Sequence, residues 1–82
     1  PNLALAMAAC QQGQAATTAL NAANEEAVAA FLAERIGVMD IARVNEATML
    51  ALGSSPVGSL DDLIALDGAA RARAHNLIEE LS

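Results

Sequence analysis

The sequence predicts an all-α fold, a small up-and-down helical bundle of four main helices plus a short one. Three observations lead there. Apolar residues make up 55% of the 82 positions, with Ala the largest contributor and Phe31 the only aromatic, a composition that suits closely approaching helices. Apolar positions recur three and four residues apart, and no block of β-branched and aromatic residues reads as a strand. Gly, Ser, Asp and Asn fall where helix ends are expected.

Leu3, Met7 and Cys10 share one face of a first helix, with Gly13 as its terminating residue. Thr17, Thr18 and Asn21 are alternative N-caps for a second helix, whose stripe is Leu20, Asn24, Ala27, Val28, Phe31 and Leu32. Glu25 and Glu26 fall in its first turns, where the helix dipole favours negative charge, and Gly37 ends it. Asp40 caps a third helix, with Met39 and Val44 at the spacing of a hydrophobic staple. Its face is Ile41, Val44, Thr48 and Ala51, flanked by Met49 and Leu52, and Gly53 stops it. Gly53–Gly58 is a loop. Ser59 starts a short fourth helix, with Asp62 at the third helical position and Leu60, Leu63, Ile64 and Leu66 as its apolar content. Asp67 caps the last helix, whose stripe is Ala70, Ala74, Leu77, Ile78 and Leu81. Residues 1–82 read as one domain with no internal boundary or repeat.

Four Arg and no Lys stand against ten acidic residues, a net charge of −6. Nucleic acids and anionic membranes both draw their affinity from clustered cations, so neither is an expected partner. No apolar run approaches the roughly 18 residues that span a bilayer. Pro1–Cys10 lacks the basic start and cleavage pattern of a secretory signal. A single cysteine, Cys10, cannot close an intrachain disulfide and points to a reducing, cytoplasmic setting. Helical pattern begins at once after Pro1 with no initiator Met, as expected of a piece of a longer protein.

Candidate chemistry is sparse. Asn21, Asn24 and Glu25, with Thr17 or Thr18, share a helix face that suits a polar ligand, although a cap and a satisfied backbone group explain the same residues. His75, with Glu79 one turn on, lacks the further partners that acid–base or metal work requires, and reads as a solvated helix histidine. Asp61, Asp62 and Asp67 supply oxygen ligands but read as two caps and one exposed acid. Ser59-Leu60 at a helix start resembles the attachment site of a phosphopantetheine carrier, although Gly58 stands where such carriers have Asp. There is no nucleophile elbow and no Gly-rich phosphate loop. Met7, Met39 and Met49 read as core filler. The residues themselves assign no catalytic, cofactor-binding or metal site.

The run Gly13-Gln14-Ala15-Ala16-Thr17-Thr18-Ala19-Leu20-Asn21-Ala22-Ala23-Asn24-Glu25, continuing through Val28-Ala29-Ala30-Phe31-Leu32 to Asp40-Ile41, closely resembles the C-terminal helical domain of 1-deoxy-D-xylulose 5-phosphate reductoisomerase. Pro1–Met7, and Asp61-Asp62-Leu63 with Asp67 and Arg71, fit the same domain, so the resemblance spans essentially the whole chain. It implies a family of enzymes that make 2-C-methyl-D-erythritol 4-phosphate for the non-mevalonate route to isoprenoids. Those enzymes use NADPH and a divalent cation, Mg or Mn, and the full enzyme is expected to be a homodimer. The family's metal, phosphate and cofactor residues lie outside the part that this chain resembles. The implied role is therefore a structural domain bracing the catalytic domain of the same enzyme and inactive alone. Part of the Leu20–Leu32 stripe, or the Leu3/Met7 face, is then expected to be an interdomain surface. The alternatives are a free-standing helical interaction module and an acyl-carrier-like protein.

Overall fold

A computed structural model describes the backbone of residues 2–82 and the side chains of residues 13–82. Among the described residues the chain forms three helices: α1 (Asn2–Leu32), α2 (Val38–Leu52) and α3 (Leu60–Leu81). The all-helical expectation holds, but four main helices plus a short one do not. Two of the expected breaks are absent.

The first absent break is at Gly13, which lies inside α1. An isolated glycine costs a helix about 1 kcal/mol and does not by itself end one. Strong helix formers flank this one, Gln11, Gln12, Gln14, Ala15 and Ala16, so Thr17, Thr18 and Asn21 are mid-helix residues and cap nothing. The second absent break is at Asp67. The helix begun at Leu60 runs through Asp67 and Gly68 to Leu81, and Asp67 spends its carboxylate on Arg71 one turn ahead.

The observed ends are built locally. α1 closes at Leu32 rather than at Gly37. Glu34 takes a left-handed φ of 62°, the Arg35 N–H donates to the Ala30 carbonyl at 2.9 Å, and the Glu34 N–H donates to the Phe31 carbonyl at 3.0 Å. That is a Schellman closure with glutamate where glycine is usual. Gly37 is instead the N-cap of α2, and Asp40 stands three residues inside, its Oδ2 accepting the Gly37 N–H at 3.0 Å. The staple shifts with the cap. Ile36 and Ile41 pack in one cluster, while Met39 is exposed. At α3 the expectation holds: Ser59 Oγ accepts the Asp62 N–H at 3.2 Å, and Asp62 Oδ2 accepts the Gly58 N–H at 2.8 Å.

The core lies along α1. Among its described side chains the buried residues are Ala15, Ala19, Ala22, Ala23, Ala27 and Ala30, a stripe turned by roughly a third of a helical turn from the expected one. Against it α2 sets Val44 and Thr48, and α3 sets Leu66, Ala70, Ala74 and Ile78. The clusters stack in three layers: Ala15 with Val57 and Leu66, then Ala19 and Ala22 with Ala70, then Ala23, Ala27 and Ala30 with Val44, Ala74 and Ile78. Residue numbers rise together along α1 and α3, so these two run parallel and α2 returns between their ends. The bundle is up-down-up. The expected Leu3, Met7 and Cys10 face lies outside the described side chains.

Candidate functional site

The richest polar constellation is a seam between α1 and α3. Glu25 and Glu26 project from α1; Asp67, Arg71 and His75 come from α3 at four-residue spacing, hence on one face. Arg71 is the hub. Its Nε donates to Asp67 Oδ2 at 2.9 Å, its Nη2 to Glu25 Oε2 at 2.7 Å, and its Nη1 to Glu26 Oε1 at 3.3 Å. His75 Nε2 lies 3.2 Å from the other oxygen of Glu26. The guanidinium is held above its ordinary value by its hydrogen bonds to Asp67 first, then Glu25 and Glu26. It therefore stays cationic throughout the accessible pH range and cannot act as an acid or base.

About two turns further along α3 from Arg71, Glu79 pairs with Arg35, which follows the end of α1. Between the two links lies a small open hollow of about 140 Å³, lined by Ala29, Ala30, Ala33 and Ile78, with Glu26 and His75 at its rim. Its one carboxylate, Glu26, is already engaged by Arg71 and His75. The arrangement ties two parallel helices in register.

The other sequence candidates are dispersed. Asn24 does not serve a loop backbone group; its Oδ1 accepts from Asn45 Nδ2 of α2 at 3.0 Å, and Asn21 is exposed. Glu79 belongs to Arg35 and not to His75. Asp61, Asp62 and Asp67 do not converge: Asp62 serves the α3 start, Asp67 serves Arg71, and Asp61 is exposed. Ser59 Oγ is engaged as the α3 cap. Met49 packs against the core, but Met39 is exposed. Among the described residues no group of three or more His, Cys, Asp or Glu is placed to hold a metal ion. Sequence carries only half of the Arg71 hub. Its four-residue spacing from Asp67 was visible; its bonds to Glu25 and Glu26 depend on α1 and α3 running parallel.

Large apolar side chains are exposed in several places. Leu32, Val38 and Met39 surround the α1–α2 turn, Leu50 stands on the outer side of α2, and Leu60 and Ile64 open α3. Leu63, beside them, floors two shallow hollows, one walled by Gly13, Gln14, Thr17 and Thr18, the other by Gln14, Val57, Gly58 and Ser59. No helix among the described residues is long and apolar enough to cross a membrane.

Comparison with known proteins places this arrangement. The DXP reductoisomerase C-terminal domain family matches residues 1–73. Over all 82 residues the chain is 95% identical to the 1-deoxy-D-xylulose 5-phosphate reductoisomerase of Aeromonas salmonicida (strain A449). It is 90% identical to that of Aeromonas hydrophila subsp. hydrophila and 51% identical to that of Shewanella baltica (strain OS155), again over 82 residues. In each case the whole chain is covered, and it spans 21% of the relative's length.

Proposed function

The chain belongs to the DXP reductoisomerase C-terminal domain family, and from that premise we propose that it is the structural C-terminal domain of a 1-deoxy-D-xylulose 5-phosphate reductoisomerase. The enzyme converts that sugar phosphate to 2-C-methyl-D-erythritol 4-phosphate in the cytoplasm, using NADPH and a divalent cation, as a homodimer. Residues 1–82 serve as one helical unit that braces the catalytic domain. Their own side chains take no part in the chemistry.

The observation that carries this reading is the 95% identity over the full chain. The physical features agree with it. The carboxylates of the α1–α3 seam hold Arg71, and Asp40 and Asp62 serve the helix starts. Among the described residues no group of three or more His, Cys, Asp or Glu is placed to hold a metal ion, and no step of the reaction is assigned to them. A bundle of this size whose central helix, among its described side chains, buries only alanines gains little from that part of its core, while several of its largest apolar side chains face outward. A domain that leans on a neighbour has that profile.

The test is deletion and rescue. The full-length enzyme truncated before this domain is expected to lose NADPH oxidation with 1-deoxy-D-xylulose 5-phosphate, and adding the 82-residue chain in trans is expected to restore part of it. Full turnover by the truncated enzyme would refute the bracing role.

A further inference from the structure

No further inference is drawn: the strongest candidate, the exposed apolar patch of Leu60 and Ile64 at the start of α3, is matched by the equally exposed Leu32, Val38 and Met39 around the α1–α2 turn, and nothing in the structure shows what covers either.

Discussion

Thr48 is the one polar side chain fully buried among the described residues, and its hydroxyl has no hydrogen-bond partner there. Burying an unpaired hydroxyl costs about 1–3 kcal/mol, so replacing it with a methyl of the same shape should help. Thr48→Val is expected to raise stability by about 1 kcal/mol, which for a chain of this size is about 5 °C in the unfolding midpoint. A lower midpoint would mean that the hydroxyl has a partner. Glu34 gives a second residue-scale test. Its φ of 62° is a conformation that costs an L side chain about 1 kcal/mol. Glu34→Gly should stabilise by about that amount, and Glu34→Val should destabilise by more, because a branched Cβ resists the left-handed region. Denaturant midpoints for the two variants should lie on opposite sides of the parent. The resemblance to the reductoisomerase domain was legible at this scale because a run such as Asn21-Ala22-Ala23-Asn24-Glu25 is read residue by residue. Neither the left-handed Glu34 nor the orphaned Thr48 was, since both are set by what surrounds them.

At the scale of elements, the end of α2 at Gly53 and the α3 start were legible, the N-cap of α2 lay at Gly37, three residues before the expected Asp40, and the interior face of α1 was not legible. Ser59 and Asp62 carry their capping chemistry within four residues, so local sequence sufficed. Along α1 the larger side chains Leu20, Phe31 and Leu32 suggested the inward face, yet alanines face in. The physical reason is that α1 touches both other helices, and small residues let the axes come to the short end of the usual 8–10 Å range. The layer formed by Ala19, Ala22 and Ala70 is the tightest test of this. Ala22→Leu is expected to cost about 1–3 kcal/mol by overpacking, while Ala29→Leu, two turns further along α1 at an exposed position, should change stability by less than about 0.5 kcal/mol. Equal effects measured by thermal unfolding would show that α1 is not gripped on the alanine face. The polar seam was half legible for the same reason. Asp67 and Arg71 share a helix, while Glu25 and Glu26 reach Arg71 only once α3 lies parallel to α1.

For the whole molecule, the balance between a thin interior and a generous apolar exterior decides behaviour. The bundle is elongated, 49 × 22 × 17 Å, a shape with much surface for its volume. Amide exchange along α3 is expected to be slower in the full-length enzyme than in the free 82-residue chain. Identical protection in the two would mean that the bundle holds itself together unaided.

The odd number of helices has one more consequence. A chain that goes up, down and up leaves by the pole opposite the one at which it arrived, and α3 alone carries it about 33 Å along the axis. Ser82 therefore stands at the pole away from the α3 start. A fluorophore placed there, paired with one on the preceding domain, would register small tilts of the bundle as large changes in energy transfer without crowding the α3 start.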